Sequence, residues 1–72
     1  MGTYTMETIE NDFKVASHGL QNSVIEFLVV TAKATLQLVP DNEARELAIS
    51  HLLLATTMVW SAYVLGAGGH AE

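Results

Sequence analysis

The chain has 72 residues, half of them apolar and 15% charged, with a formal net charge of −5 and no cysteine. One small domain is the most this length can hold, and a monomer near this size buries only about 60% of its unfolded surface. The apolar content therefore exceeds what a 7.8 kDa monomer can hide, and oligomerisation is the usual remedy where no other staple exists. Three cations, Lys14, Lys33 and Arg45, are too few for a phosphate-backbone interface with duplex DNA, and without cysteine there is neither a disulfide framework nor a zinc-thiolate site.

In chain order, residues 1–12 (MGTYTMETIEND) are polar with little periodicity. Residues 1–16 read as a mobile arm. They lack the basic start and apolar core of a signal peptide, which makes the cytoplasm the expected compartment. Ser17 stands just before an apolar pattern and is the expected N-cap of a first long helix. Over 17–39 two rows recur at helical spacing: Leu20, Val24, Phe27/Leu28, Thr31, Leu38, and Ile25, Val29, Ala32, Leu36, Val39. Pro40 ends this helix by pushing the preceding residue out of the α region.

Asp41 or Asn42 then caps a second helix over 41–65, with Glu43 and Glu46 in its first two turns, where the dipole favours anions. So short a connection predicts an antiparallel helical hairpin. Gly66 is the expected C-terminal cap, and 66–72 a flexible tail. Residues 47–69 contain no Asp, Glu, Lys or Arg, so the second helix has three uncharged rows. They are Ala44, Ala48, Leu52, Ala55, Val59, Ala62; Leu47, His51, Leu54, Met58, Leu65; and Ile49, Leu53, Thr56, Trp60, Tyr63/Val64. A surface helix ordinarily has one apolar stripe. One hairpin partner covers one row, and the others need further chains or lipid.

A membrane span is the competing expectation, since 18 or more apolar residues read as a transmembrane candidate, and a small holin-like protein has this appearance. Against it stand Ser50, His51, Thr56, Thr57 and Ser61 inside the segment, and the absence of any Lys or Arg after Arg45. The soluble all-α homo-oligomer is the preferred expectation, with a ligand-free helical oligomerisation or partner-binding module as a further alternative.

Residues 39–65, VPDNEARELAISHLLLATTMVWSAYVL, carry a Pro-acidic turn with Arg45-Glu46, an Ala/Leu-rich helix and a Met58-x-Trp60 stretch. In these features, and in His18 ahead of an amphipathic helix, the chain resembles the small phage anti-CBASS sponge proteins over about 50 residues. It departs from them in about two extra residues after Pro40, at Leu52-Leu53-Leu54, where the family has Leu-Glu-Glu, and at Ser17, where the family has a basic residue. The resemblance implies an all-helical homo-oligomer, a hexamer in the family, with pockets between subunits. Those pockets sequester cyclic di- or trinucleotides of bacterial immune systems without chemistry on them. An ADP-ribose-derived signal is compatible too.

A nucleotide sponge needs aromatic faces for bases and cations or N–H groups for phosphates. The candidate ligand-binding residues are Phe13 for stacking, and Lys14, His18 and Arg45 for phosphates. His18 is expected near a helix N-terminus, where backbone amides assist, and Arg45 offers bidentate phosphate recognition. The structural alternatives are a hydrophobic staple for Phe13, a solvated Lys14, a capping His18, and an Arg45 paired with Asp41, Glu43 or Glu46. Tyr4 could lid a pocket or lie free in the arm, while Lys33 is expected on a solvated face. His51, Trp60 and Tyr63 read as interface or packing residues. No nucleophile elbow, Gly-rich phosphate loop or cofactor motif is present, and His18, His51 and His70 share no metal-ligand spacing; the expectation is a non-enzyme that needs no cofactor or metal.

Overall fold

Three α-helices follow one another: α1 (Met6–Ala16), α2 (Ser23–Leu38) and α3 (Asn42–His70). A computed structural model describes the backbone of residues 4–70 and the side chains of residues 4–66. No strand occurs among the described residues, so the all-α class holds.

Of the expected arm, residues 6–16 form a helix instead, and residues 1–3 lie outside those described. Thr5 caps α1: its Oγ1 accepts from the Thr8 N–H at 3.1 Å, and the Thr8 Oγ1 accepts from the Thr5 N–H at 2.7 Å. This is a capping box with Thr where Glu or Gln is usual. Only two apolar residues of α1, Ile9 and Phe13, are buried. They sit one helical turn apart, which is enough to dock α1 but too sparse to register as a period. Ser17 consequently ends α1 instead of starting α2. Its N–H donates to the Phe13 carbonyl at 3.0 Å, and its hydroxyl donates to the Lys14 carbonyl at 3.2 Å.

His18 (φ 54°) and Gly19 (φ 74°) then reverse the chain in the left-handed region, which costs glycine little and a β-carbon-bearing residue more. Asn22 caps α2, its Oδ1 accepting from the N–H groups of Val24 at 2.8 Å and Ile25 at 3.3 Å. Replacing Asn22 by Ala is expected to destabilise the fold by about 1 kcal/mol, read as a lower urea midpoint with an unchanged slope.

At the next junction the proline rule works as predicted. α2 stops at Leu38, and Val39 is extended (φ −93°, ψ 111°) ahead of Pro40. Asp41 caps α3 by accepting from the Ala44 N–H at 2.9 Å. α3 does not stop at Leu65 but runs on through Gly66 to His70. Gly66, Gly68 and Gly69 each cost about 1 kcal/mol relative to Ala, a penalty that weakens a helix without stopping it as a proline would. Of the expected tail, residues 71–72 lie outside those described.

Ile9, Phe13, Ala32 and Ile49 form the core, with Tyr4, Leu28, Val29, Leu36, Leu52 and Leu53 partly buried around it. The α2 row containing Ile25 and Ala32 faces inward, whereas Val24, Phe27 and Leu38 of the other row are exposed. On α3 the inward row carries Ile49 and Thr56, both fully buried, and Thr56 donates to the Leu52 carbonyl at 2.9 Å. The row containing Ala48, Leu52, Ala55 and Val59 is half-buried. Leu47, Leu54, Met58 and Leu65 stay largely in solvent. The accessible surface is 4985 Å², against about 4,400 Å² for a compact monomer of this mass. The chain measures 48 × 18 × 17 Å, elongated along α3.

Candidate functional site

Lys14 occupies the last turn of α1, where a cation complements the carbonyl end of the helix dipole. The α1–α2 turn folds beside it and leaves an open cleft of about 270 Å³. Lys14, Ser17, Gln21, Glu10 and Glu26 supply the polar side chains of its wall, and Phe13, Leu20, Ile25 and Val29 the apolar ones. One ammonium thus shares the cleft with two carboxylates, a hydroxyl and an amide. Glu10 is already engaged, since it accepts from the Lys33 ammonium across the α1–α2 contact. Lys33, expected on a solvated face, is therefore half-exposed in an interhelical ion pair, worth at most about 1 kcal/mol at such a surface.

Phe13 borders this cleft but is only 1% exposed. Its ring fills the core with Ile9, Ala32 and Ile49, so it has no free face for a nucleobase. The expected stacking role of Phe13 is thereby corrected: the aromatic next to Lys14 is what docks α1.

His18 lies between Ser17 and Gly19 of the cleft wall, and its ring stacks on Trp60 with centroids 3.8 Å apart and planes 22° from parallel. It follows the C-terminal end of α1, not the start of a helix. The amides expected to assist it at a helix N-terminus are those of α2, and Asn22 takes two of them. Trp60, read from sequence as a packing anchor, is half-buried and forms the other half of the stack. The left-handed His18-Gly19 pair that aims the ring has no signature in the sequence beyond the single Gly19.

Arg45 sits at the other end of α3. Its guanidinium donates to the Val39 carbonyl at 3.2 Å and to the Asn42 Oδ1 at 2.8 Å, which ties it to the helix start. Fifteen residues of helix separate it from Trp60, about 22 Å at 1.5 Å per residue. Within one chain Lys14 lines the cleft, His18 turns to Trp60 instead, and Arg45 stands apart from both. Tyr4, a free or lidding aromatic in the sequence reading, instead shares a hydrogen bond with Ser50 at 3.2 Å, which ties the segment just ahead of α1 to α3.

Among the described residues no three His, Asp or Glu side chains come together as a metal-binding group. No protein-family model, curated protein or solved structure matches the chain.

Proposed function

We propose that this chain is a soluble, homo-oligomeric binding protein that sequesters a nucleotide-derived signal at pockets between subunits. The signal is a cyclic di- or trinucleotide or a related molecule such as an ADP-ribose derivative, held without being cleaved. In this reading α2 and α3 form an antiparallel hairpin, α1 straps its open side, and several hairpins assemble as the resemblance to anti-CBASS sponges implies, up to a hexamer in the cytoplasm of the host cell.

The observation that carries the reading is the cleft at the α1–α2 turn. It offers Lys14 for a phosphate and Ser17 and Gln21 for hydrogen bonds, with Glu10 held by Lys33 and Glu26 the carboxylate a ligand has to avoid. At about 270 Å³ it falls below the roughly 300–1,000 Å³ of ligand pockets, so it serves as half a site that a neighbouring subunit completes. Lys14 and His18 contact phosphate from one subunit, and Arg45 joins only from another. Bases stack on groups other than Phe13.

Lys14→Ala is expected to weaken nucleotide uptake by about 10- to 100-fold, the loss of one charge-assisted hydrogen bond of roughly 1.5–3 kcal/mol, while the oligomer mass stays unchanged. Titration calorimetry against cyclic di- and trinucleotides measures it, and parental affinity in the variant would overturn the site.

A second reading, a small holin-like membrane protein, draws on α3. The span Asn42–Gly66 is long and apolar enough to cross a bilayer, with mean hydropathy 1.5 in its most apolar window and only 11% of that window buried. A core helix would be mostly buried, so α3 calls for a cover of some kind. The oligomer supplies that cover from protein and the membrane reading from lipid.

A further inference from the structure

The exposed face of α3 has a finer pattern than an apolar row. Leu47, His51, Leu54, Met58, Ser61 and Leu65 recur at alternating intervals of four and three, the 3.5-residue period of a coiled-coil seam and not the 3.6 of a helix packed within its own domain. Leu47, Leu54, Met58 and Leu65 are 60–74% exposed, His51 is exposed and Ser61 half-buried. The whole seam is therefore available to a second helix. The buried Ile49 and Thr56 lie on the opposite, inward side.

Read in reverse, the seam complements itself. In an antiparallel pair of helices, layers form between unlike heptad positions, and here that sets Leu47 against Leu65, His51 against Ser61 and Leu54 against Met58. Apolar meets apolar in four layers, and polar meets polar in two, where an imidazole and a hydroxyl satisfy each other. The parallel alternative stacks His51 on His51. It also lays the two acidic turns, with Asp41, Glu43 and Glu46, side by side in like-charge contact. The antiparallel register moves those turns about 36 Å apart, at 1.5 Å per residue, and opposes the helix dipoles.

We propose that α3 pairs with α3 of a second copy in this antiparallel, two-fold register, and that the seam from Leu47 to Leu65 is the primary subunit interface. The pairing deepens the oligomer in the preceding reading, and it stands or falls separately from nucleotide uptake. A two-fold contact of this kind is isologous, each residue of a layer appearing once on each copy.

The test uses the absence of cysteine in the chain. His51→Cys and Ser61→Cys are prepared separately, unfolded and refolded together, and oxidised mildly. A disulfide needs Cα atoms about 4.4–6.8 Å apart. In the proposed register Cys at 51 faces only 61 of the other copy, and like positions lie about 15 Å apart along the axis. The mixture is expected to yield a cross-linked heterodimer and each variant alone none. Leu47→Cys mixed with Leu65→Cys, whose like positions lie about 27 Å apart along the axis, reports the same register if the first pair refolds poorly.

Homodimeric disulfides from the single variants would establish a parallel seam and overturn the proposal, as would the absence of any cross-link in both mixtures. Flotation of the detergent-free protein with phosphatidylethanolamine–phosphatidylglycerol vesicles, without cross-linking, would assign the face to lipid and overturn it equally. Adding cyclic dinucleotide to the cross-linked dimer separates the two ideas: a cross-linked dimer that takes up none removes the nucleotide reading and leaves the pairing standing.

Discussion

Phe13→Ala is expected to unfold the protein, not to produce a folded chain that has merely lost its ligand. Truncating a buried Phe costs about 3–5 kcal/mol, and a 72-residue domain has roughly 4–11 kcal/mol in total. Phe13 is also one of only two buried side chains that hold α1 against the other helices. Far-ultraviolet circular dichroism should show reduced helix content and a lost or much lower melting transition. Phe13→Leu, which keeps most of the volume, should cost less than about 1.5 kcal/mol and stay folded. A folded, normally melting Phe13→Ala that fails only to bind nucleotide would return the ring to the site and contradict the packing described above.

The second large effect is expected at Leu54. Its side chain is 62% exposed in the isolated subunit, so Leu54→Glu should leave the helical signal intact. In the proposed assembly the same substitution sets a carboxylate against the apolar side chains of the facing helix. Burying an unpaired charge costs several kcal/mol, and even about 3 kcal/mol is roughly a 100-fold loss of association. Sedimentation velocity at micromolar protein is expected to show a monomer in place of the parental oligomer. An unchanged sedimentation coefficient would mean that Leu54 faces no partner. Val30→Glu on the exposed side of α2 serves as the comparison, since it alters exposed apolar surface away from the α3 seam.

These two residues also show what the sequence could and could not disclose. Pro40, Asp41 and the apolar rows of 17–39 made the α2–α3 junction legible, because each signal acts on the backbone within a turn of itself. α1 was hidden. Thr8 replaces the usual Glu or Gln of a capping box, and one Ile–Phe pair is too little to set up a period, so docking is decided by residues far along the chain, Ala32 and Ile49. The same misplacement moved the expected cap from Asn22 to Ser17.

For the candidate site, Lys14 and His18 were singled out from local chemistry; Lys14 lines the cleft, whereas His18 stacks on Trp60. Phe13 had equal local chemistry, but burial, a tertiary property, leaves its ring no free face. The His18–Trp60 stack joins residues 42 positions apart through a left-handed turn that only the folded backbone shows. That α3 could not be covered by its own chain was legible early, from a segment with no charge on any side. Which of its rows stays uncovered needed the structure.

The most direct test is native mass spectrometry of the detergent-free protein, alone and mixed with cyclic di- and trinucleotides and ADP-ribose derivatives. A discrete oligomer with an even number of subunits, gaining intact ligand masses in a fixed ratio to subunits, is the expected result. A monodisperse oligomer that takes up none of these molecules would contradict the sequestration, and a monomer, or protein recoverable only in detergent, would contradict the assembly on which it depends.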